Sequence, residues 1–208
     1  MYKTQRNYEN LNKALFEGVG EYDIPQLEPV EHIHVDNWIS FNYMKTCEEP
    51  EQHGVHFFID DYQFIRLWSN TERYMDKLAQ FQAVCTPDFS TYTDFPKAIQ
   101  IYNHYRKHWC GAYMQRAGVT VIPTISWSDP ESWEWCFDGE PRHGVVAVSS
   151  VGTMQNREAT RLFLRGYEEM LKRLDPTEIV MYGSVPEGLP GNIIPVKPFT
   201  AKWRERTV

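Results

Sequence analysis

The sequence predicts an α/β fold of parallel βα repeats, and three observations predict it. Short, apolar, β-rich runs recur along the 208 residues, the segments between them carry helix start and stop signals, and polar residues follow nearly every run. Continuous apolar strands are buried on both faces, which is the habit of parallel sheets covered by helices. Strands alternating with helices at intervals of roughly 25 to 35 residues are the signature of right-handed βαβ units.

The elements follow in chain order. Residues 1–23 are polar and weakly patterned and are read as an N-terminal arm, with a short helix around residues 10–17 ended by Gly18 and Gly20. Residues 24–208 are read as a single α/β domain, which suits a chain of this length. The first strand is expected over residues 38–44, before the polar loop of Glu48, Glu49, Pro50 and Glu51. Further strands are expected at 55–59, 83–86, 119–125, 145–148, 179–182 and 193–196. A helix is expected between Asp94 and Gly118, with Ile99, Tyr102, Trp109 and Tyr113 at mixed three- and four-residue steps, capped by Asp94 or Thr93 and ended by Gly118 in a left-handed conformation. Asp129 and Pro130 open a shorter helix as cap and first helical residue. The clearest helix runs over 156–174 and is stopped by Asp175-Pro176. Ala159, Leu162, Phe163, Gly166, Tyr167, Met170, Leu171 and Leu174 fall on one face, and Arg157, Arg161, Arg165 and Lys172 on the other.

Two closures of such a sheet are open. One is a small or incomplete TIM-barrel-like sheet, with the helices outside and every strand's C-terminal end on one rim. The other is an open doubly wound sheet, with its ligand at the switch point. The polar residues after nearly every strand favour the barrel-like form. About six or seven strands are fewer than the eight of a full barrel, which usually needs about 250 residues.

Composition narrows the function classes. The chain is 42% hydrophobic and 14% aromatic, enough for a substantial core, and its net charge of −7 is opposite to that of a generic phosphate-backbone binder. Cys47, Cys85, Cys110 and Cys136 lie 25 or more residues apart and form no CxxC pair. The opening residues carry no apolar leader, and no run approaches the roughly 18 apolar residues that span a bilayer. The expectation is a reduced, cytoplasmic protein with no membrane contact.

Several long motifs carry a family resemblance. They are Phe95-Pro96-Lys97-Ala98-Ile99-Gln100-Ile101-Tyr102-Asn103 with Tyr105, Arg106, Trp109 and Gly111-Ala112-Tyr113, and Val121-Ile122-Pro123-Thr124-Ile125-Ser126-Trp127-Ser128-Asp129. With Pro87-Asp88-Phe89-Ser90, Cys136-Phe137-Asp138-Gly139 and Val146-Ala147-Val148-Ser149-Ser150-Val151-Gly152, they resemble the domain-of-unknown-function family numbered 4417. The resemblance runs from about Gly54 to Ser184. It implies a protein of phages, plasmids or integrative elements of Gram-positive bacteria, and it brings no catalytic residues.

Candidate site residues come from position. In parallel α/β folds the residues just past each strand line the functional rim. Here they are Asp60 and Asp61, Asp88 and Ser90, Thr124 and Trp127, Ser149, Ser150 and Gly152, then Tyr182, Gly183 and Ser184. Asp60 and Asp88 are the candidate acid and base, or the holders of a hard cation such as Mg²⁺; aspartates there equally serve as helix caps. Trp127 is a candidate stacking platform or an aromatic lid. Ser149, Ser150, Gly152 and Ser184 are candidate donors to an anionic oxygen, although neither GxGxxG nor a P-loop occurs.

His32-Ile33-His34 with Asp36 has an HxH spacing, yet no later strand end supplies further histidines. His104 and His108 share a helix face but lack the glutamate of HExxH, so no metal set is assigned. Two functions remain in view. One is an enzyme or ligand-binding barrel acting on a small polar molecule, such as a nucleotide or another phosphate-bearing ligand. The other is a non-enzymatic protein that contacts a host protein or nucleic acid through Arg157, Arg161 and Arg165, with Lys202, Arg204 and Arg206 making a basic tail.

Overall fold

The computed structural model describes residues 5–9 and 11–198. The basic tail of Lys202, Arg204 and Arg206 lies outside the described residues. The chain opens with two antiparallel pairs, β1 (Gln5–Tyr8) with β2 (Leu11–Ala14), and β3 (Gly18–Val19) with β4 (Ile24–Pro25). The helix expected around residues 10–17 is therefore replaced by extended chain. Tertiary contacts explain the difference. Buried Lys13 donates to the Trp68 carbonyl and sits 3.9 Å over the Trp68 ring and 4.3 Å over Trp109, while Trp109 Nε1 donates to Ala14 O at 2.8 Å. Only an extended backbone presents Lys13 and Ala14 together to that wall.

Seven parallel strands follow. β5 (Asn37–Ser40), β6 (His53–His56), β7 (Ala83–Cys85) and β8 (Val121–Ile122) form one sheet in sequence order. β9 (Val145–Ser149), β10 (Glu178–Tyr182) and β11 (Ile193–Val196) form another, also in sequence order. A parallel bridge from Thr124 to Ala147 links the two, with Ile125 N donating to Ala147 O and Ala147 N to Pro123 O, both at 2.8 Å. Two expected strands are shorter than their apolar runs. β5 stops at Ser40 because Phe41 turns inward to stack on Phe57 at 4.9 Å. β8 stops before Pro123, which has no N–H for a ladder.

Between the strands lie α1 (Asp61–Ser69), α2 (Met75–Leu78), α3 (Lys97–Arg116) and α4 (Arg157–Leu174). Asn156 caps α4, its Oδ1 accepting from Ala159 N at 2.9 Å, and Asp175 ends it in the left-handed region at φ 46°. α3 is not capped by Asp94 or Thr93: Pro96 occupies the cap position without a side-chain bond, and Gly118, at φ 83°, follows the helix end. The short helix expected after Asp129 is a 3-10 turn over Pro130–Glu134, capped by Asp129 as expected.

Alternation along the strands separates two cores. Val145, Ala147, Val180 and Tyr182 face a core shared with Val55, Val84 and Val121 of the first sheet. Val146, Val148, Ile179 and Met181 face outward onto Phe163, Tyr167 and Met170 of α4. Tyr182, at the exit of β10, also reaches His56 and Phe58 at the exit of β6, with ring centroids 4.5 and 4.9 Å apart. Since β6 and β10 are not ladder neighbours, their exits approach each other across the inner core. All four cysteines are free, Cys47 half-buried and the others buried. Among the described residues no helix is long and apolar enough to cross a membrane.

Candidate functional site

The exits of β6 and β7 meet through a carboxylate. Asp61, the first residue of α1, accepts hydrogen bonds from Ser90 Oγ at 2.8 Å and from Ser90 N at 3.1 and 3.3 Å. Ser90 O in turn accepts from Asn103 Nδ2 of α3 at 2.6 Å. Asp88 lies beside this bridge. Burial pushes its carboxyl up to about 7; Lys107 opposes the rise and Asp61 adds to it. Among the described residues no hydrogen bond holds the Asp88 carboxyl. A group that exchanges its proton near neutrality, with its oxygens free, is equipped for acid–base chemistry.

Asp60 departs from its expected role. It stands at the cap position of α1, but among the described residues its carboxylate accepts only from Gln63 Nε2, at 3.2 Å on the exposed side. Asp61, not Asp60, is therefore the carboxylate that acts on Asp88. Adjacent residues at a helix start point different ways, so the choice between them rests on the helix's rotation, which neither residue's identity reveals.

A second, fully buried group sits between α3 and the turn that follows the Pro130–Glu134 segment. Lys107 Nζ donates to Glu140 Oε1 at 2.6 Å and to Thr124 O at 2.8 Å. The Lys107 and Glu140 side chains are 2% and 0% exposed. His108 Nε2 lies 2.9 Å from the same Oε1, and its Nδ1 lies 2.9 Å from Pro25 O. His104 Nε2 lies 3.0 Å from Asp138 O. Burial works against the Glu140 carboxylate, yet Lys107 and His108 together hold it below its ordinary range. Burial pushes His104 well below the usual imidazole range, with Lys107 and His108 adding to the effect and the bond to Asp138 opposing it. Gly139, at φ 76°, makes the turn possible, because a Cβ there would strike Pro25 O and His108 Nδ1.

Lys107 and Glu140 were invisible to strand-exit reasoning, since neither follows a strand. The i, i+4 histidines were the available signal. Both are buried. The HxH segment lies elsewhere. His32 pairs with Glu178, which begins β10, at 3.1 Å, and His34 with Asp36 at 3.5 Å, all remote from the strand exits.

The remaining candidates separate into three places. Thr124 is tied to the sheet: its Oγ1 donates to Thr86 O and its N–H to Thr86 Oγ1, both at 2.8 Å. Trp127 is half-buried and packs in the outer layer, 5.6 Å from the Phe163 ring and against Gly166, where a Cβ would collide with the indole. Ser150, Gly152 and Ser184 do come together, lining a cavity of about 360 Å³ with Val151, Met154, Gln155, Gly183 and Pro198. Ser150 Oγ is already committed there, donating to Ser184 O at 2.7 Å, and Ser149 Oγ accepts from Val151 N at 3.2 Å. Tyr182 joins this exit to that of β6 through its ring contacts.

Arg157, Arg161 and Arg165 are exposed and line an open groove of about 490 Å³ with Met154, Asn156, Thr160 and Leu164. Among the described residues none of the three makes an ion pair, while Arg165 lies 5.2 Å over the Trp133 ring.

Fold and site together define a mixed α/β protein with parallel sheets and a protonatable aspartate at its strand exits. The chain belongs to the family Domain of unknown function (DUF4417), whose model matches residues 16–200. It is 36% identical over 198 residues to the Gene 1 protein of Mycobacterium phage L5, covering 93% of this chain and 85% of that protein. It is 36% identical over 196 residues to the Gene 1 protein of Mycobacterium phage D29, covering 93% and 72%. The expected phage association thus stands. No solved structure matches.

Proposed function

We propose that the seven parallel strands make an incomplete barrel whose strand exits bind a small polar ligand, and that Asp88 moves a proton on it, as in hydrolysis. The contact of Tyr182 with His56 and Phe58 supports the barrel-like curvature. The observation that carries the chemistry is Asp88, pushed up to about 7 while its oxygens stay uncommitted. Asp61 acts as a positioning residue: Ser90 occupies its oxygens, and its charge adds to the burial that keeps the proton on Asp88. That occupation favours acid–base work over a Mg²⁺ site shared by the two carboxylates. The cavity of Ser150, Gly152 and Ser184, at the exits of β9 and β10, suits the anionic part of a phosphate-bearing ligand such as a nucleotide.

A second reading rests on the arginine groove of α4, whose three exposed cations suit an acidic surface of a host protein or a nucleic acid. One experiment separates the two. Nucleotides and sugar phosphates are screened for a rise in melting temperature, which any ligand of the native state must produce. The first reading expects a phosphate-bearing compound to raise the melting temperature, and Asp88→Asn to abolish its turnover. A flat screen, with phage function kept by Asp88→Asn but lost on charge reversal of Arg157, Arg161 and Arg165, would transfer the function to α4.

A further inference from the structure

We propose that His104, His108 and Glu140 hold a divalent transition-metal ion of the zinc class, enclosed between α3 and the turn that ends at Glu140. Their potential ligand atoms all lie within 4.8 Å of one another, and all three residues are buried. Four features of the geometry converge on an ion.

First, helical spacing does the placing. Residues four apart share a helix face, and the two rings stand 4.4 Å apart by their centroids. Second, each ring has one nitrogen taken by a backbone carbonyl: His104 Nε2 by Asp138 O at 3.0 Å, and His108 Nδ1 by Pro25 O at 2.9 Å. A ring that donates one N–H to a carbonyl turns a lone pair outward at its other nitrogen, which is how metal-ligating histidines are commonly oriented. His104 Nδ1 and His108 Nε2 are the nitrogens left.

Third, Glu140 Oε1 takes both Lys107 and His108, whereas Oε2 is buried with no hydrogen-bond partner. An unsatisfied buried carboxylate oxygen is expensive, and such atoms point to an ion or a water. Fourth, His108 Nε2 lies 2.9 Å from Glu140 Oε1, so the imidazole and the carboxylate already face each other at about the spacing of two ligands on one ion.

The donor set decides the class. Two imidazoles and one carboxylate suit Zn²⁺ and its neighbours, whereas Mg²⁺ and Ca²⁺ require a shell of oxygens. The ion takes Oε2 and leaves Oε1 to Lys107. The Lys107 ammonium, 2.6 Å from Oε1, weakens the site by repulsion. Since α3, the 138–140 turn and the Pro25 segment all meet here, the ion would fasten the three together. Asp88 is not among the ligands, although Lys107 bears on both groups, so the site stands whether or not Asp88 is catalytic.

The test is metal content and metal-dependent stability of the full chain. The protein is stripped with chelator and reloaded with Zn²⁺ or Co²⁺. One equivalent of metal, a raised melting temperature and the visible d–d absorption of a low-coordinate Co²⁺ site are expected. His104→Gln removes one ligand without touching the Lys107–Glu140–His108 contacts, and it should lose stoichiometric binding and the Co²⁺ band. Reloaded wild-type protein with neither the band nor a melting shift overturns the proposal, whatever the variant does. Metal binding that survives His104→Gln overturns it as well, because the ion then sits on surface histidines such as His32, His34 and His143.

Discussion

α3 and α4 are two long helices of similar length, of 20 and 18 residues, packed on different parts of the parallel sheets by opposite means. α4 buries Phe163, Gly166, Tyr167, Met170 and Leu174 and leaves its arginines in water. α3 buries Gln100, Asn103, His104, Lys107 and His108 beside Trp109 and Met114, and exposes Ile99 to 44%. Burial of an apolar stripe is a sufficient reason for α4 to exist. It is no reason for a lysine and two histidines to be inside. A helix that hides charge against the hydrophobic effect does so to stabilise an interior network or to serve a site. In this molecule both the raised aspartate and the histidine–glutamate cluster lie on the α3 side.

The contrast sharpens with mutations, taken from the largest expected effect. Lys107→Met leaves the Glu140 carboxylate with only His108, and removing one partner of a buried pair costs about 3–5 kcal/mol. Urea denaturation should show that loss with an unchanged slope. A loss of less than about 1 kcal/mol would mean that the buried charge of α3 is no more consequential than a surface pair.

Asp88→Asn should do the reverse. The native carboxyl ionises near 7 and a free aspartate near 3.8. Between those values the unfolded chain gives up its proton first, so wild-type stability declines as pH rises through that window and then levels off. The variant lacks this term. It should match the wild type near pH 4 and exceed it above pH 7 by about 2–4 kcal/mol, each tenfold in proton affinity being worth about 1.4 kcal/mol. Melting curves at several pH values check it, and parallel curves for the two proteins would remove the perturbed aspartate. The smallest effect belongs to α4. Asn156→Ala deletes its cap and should cost about 1 kcal/mol at every pH between 5 and 9.

The same contrast explains what was legible beforehand. α4 was read almost to the residue because period, cap and stop coincide within one segment at Asn156, Phe163–Leu174 and Asp175. The apolar runs likewise located β6 to β11, since burial on both faces needs only composition, although β6 begins two residues earlier than its run and β8 is cut to Val121–Ile122. α3 was located, but its inward face was only partly read. Of the stripe Ile99, Tyr102, Trp109 and Tyr113, Trp109 is buried and the two tyrosines pack against the core, whereas Ile99 is exposed and a polar set also points inward. Trp127 was placed at a strand exit by counting residues, yet the chain stays bonded to Ala147 through Ile125 and then turns outward, so that Trp127 meets Phe163 of α4.

By itself, then, the sequence determined the parallel βα alternation, the polar exits and the surface character of α4, because each depends on residues close together in the chain. Only the tertiary structure decided that Asp61 and not Asp60 bears on Asp88, that Lys13 draws the N-terminal segment into extended chain, and that Glu140 meets His108 across 32 residues. Those outcomes depend on desolvation and on which charges are brought together inside. Such terms are set by the three-dimensional neighbours of a group and leave no period in the sequence.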